Sequence, residues 1–190
     1  KIDAVRYARQ NEVPFLGLCL GFQMAVIEQA RNVLGLAGAH SAEIDEDTPH
    51  PVIDILPEQK EIDDMGGTMR LGAHETQIDP GTLAAEIYEA DACTERHRHR
   101  YEVNPEYIDD LQSENMVFSG TSGRRMEILE LDDHPFFLGT QFHPEFRSRP
   151  DRASPPFVSF LDAVVEQRET TGNDTAAEQT PDDSETEATI

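Results

Sequence analysis

The sequence is short of cysteine, lysine and tryptophan: the only cysteines are Cys19 and Cys93, the only lysines are Lys1 and Lys60, and tryptophan is absent. Two cysteines in segments of different character do not make a disulfide framework, and they point to a reduced, cytoplasmic setting. With 15 basic residues against 38 acidic ones, the net charge is −23. Nucleic acid is excluded as a partner, because neutralising phosphates requires a basic surface. No apolar run approaches the roughly eighteen residues of a membrane span, so a soluble chain without a membrane partner is expected. The opening KIDAVRYARQ has neither the apolar centre of a signal peptide nor an initiating methionine. It reads as an internal piece of a longer, non-secreted polypeptide.

What is present fits one packed domain, since 190 residues with 37% hydrophobic content suffice for a core. The acids run from Glu43 through Asp183, and residues 166–190 hold only eight acids and one arginine, −7 of the −23. Most of the excess therefore belongs to the folded part. It suits a high-salt, halophilic cytoplasm, where a short Debye length makes self-repulsion tolerable. The segment 166–190 has no aromatic residue and no apolar side chain larger than alanine before Ile190. It cannot offset its ordering entropy by burial and is read as an acidic disordered tail. The segment from Ser41 to Asp64 is read as loops around one strand, VIDIL.

The run VPFLGL, Val13 to Leu18, has the pattern of a strand buried on both faces. After Gly21, Phe22, Ala25, Val26, Ala30, Val33 and Leu34 recur at helical spacing, with Gly35 and Gly38 as stops. Gly17-Leu18-Cys19-Leu20-Gly21 is then a GxCxG turn between strand and helix, the thiol counterpart of a GxSxG nucleophile elbow. Such a turn exposes the sulfur at the carboxyl end of the sheet. There the helix N-terminus favours a thiolate and the Leu20 N–H points at a developing oxyanion. On spacing alone Cys19 is equally a small core residue.

A thiolate needs a base and the base needs an orienting group. HPFFLGTQFHPEF gives a strand from Phe136 to Phe142 with His143-Pro144-Glu145 at its end, and in an extended segment Glu145 lies on the same side as His143. Open α/β sheets build sites at the carboxyl ends of their parallel strands, which favours a Cys19-His143-Glu145 triad. The expected fold is α/β, an open and mostly parallel sheet flanked by helices.

GxCxGxQ with a downstream FHPE resembles the class I glutamine amidotransferases. LCLGFQMAVIEQAR, MGGTMRLGA, ERHRHRYEVN and QFHPEFRSRP further resemble the amidotransferase half of the CTP synthase family, over Ile2 to about Val165. The resemblance implies a domain over 1–165 that hydrolyses glutamine and passes ammonia to a synthetase domain, where ATP and Mg2+ serve the amination of UTP, GTP activates, and the assembly is a homo-oligomer. No cofactor is expected in this chain itself. By matching motifs Glu43 meets the ammonium of glutamine and Arg100 its α-carboxylate, while Gln23 and the Leu20, Gly21, Phe22 backbone hold the side-chain amide. The family's first strands and a glycine-rich loop supplying a second oxyanion donor are expected before Lys1, which would leave the isolated chain a poor enzyme. A related thiol hydrolase acting on γ-glutamyl bonds, and a non-catalytic remnant, are the alternatives.

In RHRHR, alternation sets Arg96, Arg98 and Arg100 on one strand face and His97 and His99 on the other. Two histidines so spaced could bind a metal, but no metal site is expected, because no Cys or carboxylate cluster completes the pair. Met65 to Gly72 lacks the GxxxxGK pattern and is read as a glycine turn between strands. Cys93, with no base nearby, is read as structural.

Overall fold

A computed structural model describes residues 1–55 and 69–177. A parallel pair lies at one edge of the main sheet among the described residues. β1 (Phe15–Leu18) lies beside β9 (Phe137–Thr140), with Leu18 paired to Thr140, so the two chains leave the sheet at the same edge. Both strands are apolar because both faces are covered. On one side sit α1 (Ile2–Gln10) and α2 (Leu20–Glu28). On the other sit α3 (Leu83–Tyr88) and α5 (Pro155–Ala177), and the short α4 (Ile108–Leu111) completes the set. Side-chain alternation along β8 (Arg125–Leu131) and β9 divides the core accordingly. Leu129 and Phe137 join Phe22, Ala25 and Val26 of α2, whereas Ile128 and Leu138 join Ile87 of α3 and Phe160 of α5. Gly139 makes room for this packing, since a Cβ there would stand 2.8 Å from Leu129 Cγ and 3.3 Å from the Phe22 ring.

The main sheet has the order β1-β9-β8-β7-β4-β5, with β4 (Arg70–Ile78), β5 (Ala92–His99) and β7 (Met116–Ser122). The α/β sheet flanked by helices is as expected, but the parallel pairing expected for most of it is confined to β1 and β9. Every other pair in this sheet is antiparallel. The reason lies in the connections: Gly123 at φ 63° opens a tight hairpin between β7 and β8, too short for a crossover. A smaller sheet of β2 (His40–Ser41), β3 (Pro51–Asp54) and β6 (Glu102–Val103) stands beside α2. It brings the turn holding Glu43 towards the chain that leaves β5.

Several boundaries differ from expectation. β1 starts two residues late and β9 ends at Thr140, because the chain must turn to present Gln141 to His143. α2 ends at Glu28 and passes into a π turn over Gln29–Val33, before Gly35 at φ 71° reverses the chain. α5 continues through 166–177, the first part of the segment expected to be disordered, although the run from Thr170 to Thr175 consists of weak helix formers, so propensity does not account for the extension. Residues 178–190, and the expected glycine turn at 65–68, lie outside the described residues. Among the described residues no helix is long and apolar enough to cross a membrane.

Candidate active site

Cys19 stands between β1 and α2 with φ 48° and ψ −95°. That conformation costs an L-residue on the order of 1–3 kcal/mol. Two hydrogen bonds clamp it: the Cys19 N–H donates to Thr140 O at 2.7 Å, and the Cys19 carbonyl accepts from Gln23 N at 3.1 Å. A Cβ on Gly17 would lie 2.8 Å from the Gly21 carbonyl carbon, whereas a Cβ on Gly21 would meet nothing within 4 Å. The close turn therefore depends on the first glycine of GxCxG and not on the second.

His143 follows β9 as Cys19 follows β1, and its N–H donates to Arg96 O at 2.8 Å. His143 Nδ1 lies 2.6 Å from Glu145 Oε1. The segment is not extended as expected: Pro144–Phe146 form one 3-10 turn with His143 at its start. Proline suits the first position of such a turn, and the turn rather than strand alternation brings the carboxylate back to the ring. With Nδ1–H donating to Glu145, the lone pair is left on Nε2.

Cys19, Leu20, Gln23, Glu43, His99 and Arg100 line one cavity of about 370 Å³. Of the expected site residues, Cys19, Leu20, Gln23, Glu43 and Arg100 share this cavity, whereas His143, Glu145, Gly21 and Phe22 are not in its lining, Phe22 being fully buried in the core. Arg100 Nε is buried without a hydrogen-bond partner among the described residues. A larger hollow of about 730 Å³, with Arg96, Arg98, Phe146 and Arg149 in its wall, does not contain Cys19. The smaller cavity is the candidate, because it alone of the two joins a thiol, a carboxylate and an unpaired guanidinium nitrogen.

The Cys19 thiol is pushed above its ordinary range, chiefly by burial. The Leu20 N–H and the Gln141 amide oppose that rise, and the negative charges of Glu145 and Glu43 add to it. The Leu20 N–H acts in the expected direction, but burial outweighs it. Cys93 is pushed up to about 12 by burial and by Glu95.

Sequence reasoning missed Gln141. Its Nε2 lies 3.7 Å from Cys19 Sγ, and its Oε1 accepts from Gln23 Nε2 at 3.4 Å. A polar residue closing the apolar run FFLGT, two places before His143, was the available signal. Glu127 was missed as well. His97 and His99 do lie on the buried face of β5, opposite Arg96 and Arg98, and Glu127 of β8 brings a carboxylate to them, so that one atom of each lies within 4.8 Å of the others. The expectation that no carboxylate completes the pair is corrected, because sheet curvature joins residues remote in sequence. The Arg70 guanidinium already meets Glu127 Oε1 at 2.9 Å, so this carboxylate has a protein cation.

The family model for class I glutamine amidotransferase matches residues 1–163. Among relatives, the CTP synthase of Halobacterium salinarum is 73% identical over 167 residues, covering 88% of this chain and 30% of that protein. The CTP synthase of Archaeoglobus fulgidus is 65% identical over 170 residues, covering 88% and 32%. The glutaminase domain of the Trypanosoma brucei enzyme, solved with bound acivicin, superposes with a TM-score of 0.82 at 38% identity, covering 87% of this chain and 65% of that one. The chain thus spans about 30% of the length of the Halobacterium relative.

Proposed function

The chain belongs to the class I glutamine amidotransferase family, and from that premise we propose that it hydrolyses glutamine and, as the glutaminase part of a CTP synthase, supplies ammonia for the ATP-dependent amination of UTP. The observation that carries the reading is the convergence at the ends of β1 and β9. Cys19 is held at φ 48° on one strand end, and His143 is hydrogen-bonded to Glu145 at 2.6 Å on the neighbouring one. Cys19 Sγ attacks the γ-carboxamide carbon of glutamine, forming the C–S bond. The negative charge that develops on the amide oxygen meets backbone N–H at the start of α2. His143 passes the thiol proton to the leaving nitrogen, ammonia departs, and a thioester remains. Water, giving its proton to the same imidazole, then cleaves the thioester to glutamate. Glu145 keeps Nδ1 protonated so that Nε2 does this work.

Free glutamine is a zwitterion, and the cavity offers both complements. Glu43 faces the ammonium, while the unpaired Nε of Arg100 faces the α-carboxylate. We assign this activity to residues 1–165, acting in the cytoplasm beside a synthetase domain that binds UTP and ATP and mediates homo-oligomer formation. In high salt, a glutamine analogue with an electrophile in place of the amide is expected to label Cys19, and free glutamine to protect it, as read by peptide mass spectrometry. Absence of labelling in a folded sample overturns the reading. In the longer polypeptide, Cys19→Ala is expected to abolish glutamine-dependent CTP formation while leaving the ammonia-dependent reaction intact. Loss of both counts against it.

A further inference from the structure

Gln141 is a buried amide with no role in the mechanism above, and its contacts have a definite polarity. The carbonyl oxygen of Tyr101 can only accept a hydrogen bond. It therefore fixes the nitrogen of the Gln23 amide on its own side, at 3.1 Å. The second hydrogen on that nitrogen donates to Gln141 Oε1 at 3.4 Å, and this turns Gln141 Nε2 towards Cys19 Sγ at 3.7 Å. Reversing the Gln141 amide would set two nitrogens against each other at one end and an oxygen against a thiolate at the other. The same Tyr101 oxygen accepts from His99 Nδ1 at 3.3 Å, which ties the relay to β5. The Gln141 N–H donates to Glu127 O at 2.8 Å, anchoring the residue to β8. Gln23 and Gln141 are each almost fully buried, so water does not compete for these bonds.

We propose that Gln141 stabilises the Cys19 thiolate with a side-chain N–H whose direction is set by Gln23 and the Tyr101 carbonyl, making Gln23 a positioning residue for the nucleophile. This deepens, and rests on, the reading of Cys19 as the nucleophile. It also shifts the emphasis for Gln23: both hydrogens of its amide are taken by protein acceptors, leaving its Oε1 to the cavity. The titratable and charged groups around the sulfur are Glu43 from the turn after β2, Arg98, His99, Arg100 and Tyr101 at and just after the end of β5, and Glu145 after β9. Glu43 and Glu145 oppose the thiolate. A neutral donor that requires no further charge in the cavity is the group suited to offset them, because an extra cation would compete for the substrate carboxylate.

The test is the pH dependence of iodoacetamide alkylation at Cys19 in the full chain, followed by peptide mapping so that Cys93 does not contribute. Gln141→Met keeps the volume and removes the donor. Its alkylation midpoint is expected to rise by about one pH unit, a roughly tenfold loss of rate at neutral pH, with the alkaline plateau unchanged. Gln141→Glu, which sets a carboxylate against the sulfur, is expected to move it further. Gln23→Met, on a different element, is expected to raise the midpoint by releasing the Gln141 amide. It also decides the matter should Gln141→Met fold poorly. A midpoint that stays in place, or falls, in Gln23→Met or in a folded Gln141→Met overturns the proposal. Iodoacetamide needs no substrate recognition, so failure of the glutaminase reading would appear separately, as absence of labelling by the glutamine analogue with these midpoint shifts intact.

Discussion

At the scale of single residues, the two glycines flanking Cys19 separate two effects that the motif GxCxG runs together. An added methyl at Gly17 meets the Gly21 backbone at 2.8 Å and the Phe15 ring at 2.7 Å, so Gly17→Ala is expected to destabilise the fold by about 1–3 kcal/mol in thermal unfolding. Gly21 lies in the first turn of α2 with open space around it, and Gly21→Ala is expected to be neutral or to stabilise by up to about 1 kcal/mol through helix propensity. Equal effects at the two sites would contradict the account of the turn. The thiol and the imidazole were legible in the sequence because each follows an apolar run that reads as a strand; the carboxylate was found by its two-residue spacing, although a 3-10 turn and not an extended segment brings it to the ring. Gln141 was not, although it is as close in sequence to His143 as Glu145 is. Its meaning lies in the direction of a hydrogen bond that begins at Tyr101 and passes through Gln23, a path with no sequence signature.

Between elements, buried charge does what apolar packing does elsewhere. Arg9 of α1 meets Glu28 of α2 through Nη2 at 2.7 Å and Nε at 2.9 Å, and the Glu28 side chain is only 2% exposed. Arg9→Met is expected to cost about 3–5 kcal/mol, because it strands a buried carboxylate, whereas Arg9→Met with Glu28→Met is expected to cost much less. A thermal double-mutant cycle checks both. The cluster joining β4, β5 and β8 gives a pH signature. Burial pushes His97 down to about 2 and His99 to about 4, and it pushes Glu127 up to about 7. The depressed histidines contribute stability that is present above their unfolded pKa of about 6.5 and lost as pH falls towards 4. The raised Glu127 works in the opposite sense, contributing below about 4.5 and losing its contribution as pH rises through about 7. Between pH 5 and 6, His99→Asn is therefore expected to reduce the slope of stability against pH by about one proton, or roughly 1.4 kcal/mol per unit, and Glu127→Gln to increase it by about as much. Denaturant titrations at several pH values check the two signs. The helix after Gly21 and the β1 and β9 strands followed from local periodicity. The antiparallel majority of the sheet did not, because pairing direction depends on which connections are hairpins, and an alternating strand such as RHRHR looks the same in either direction.

Over the whole molecule, the net charge of −23 is the property that sets the conditions for stability. Only 15 basic residues are available, and several are committed to particular carboxylates, Arg9 to Glu28, Arg70 to Glu127 and Arg125 to Glu102. Folding therefore gathers a large unpaired acidic excess onto one compact surface, and the mutual repulsion opposes compaction. Screening removes that opposition: the Debye length falls from about 10 Å at 0.1 M salt to about 3 Å at 1 M. The unfolding midpoint is expected to rise steeply with potassium chloride over this range and more slowly beyond it, whereas sucrose at matched osmolality, which does not screen, is expected to produce a smaller change. Truncation after Ala177 separates the surface from the end of the chain, since it keeps α5 and removes only five of the 38 acidic residues. Most of the salt response is expected to survive it. A response that vanishes on truncation would place the destabilising charge in the last thirteen residues, and an equal response to sucrose would show that screening is not the cause.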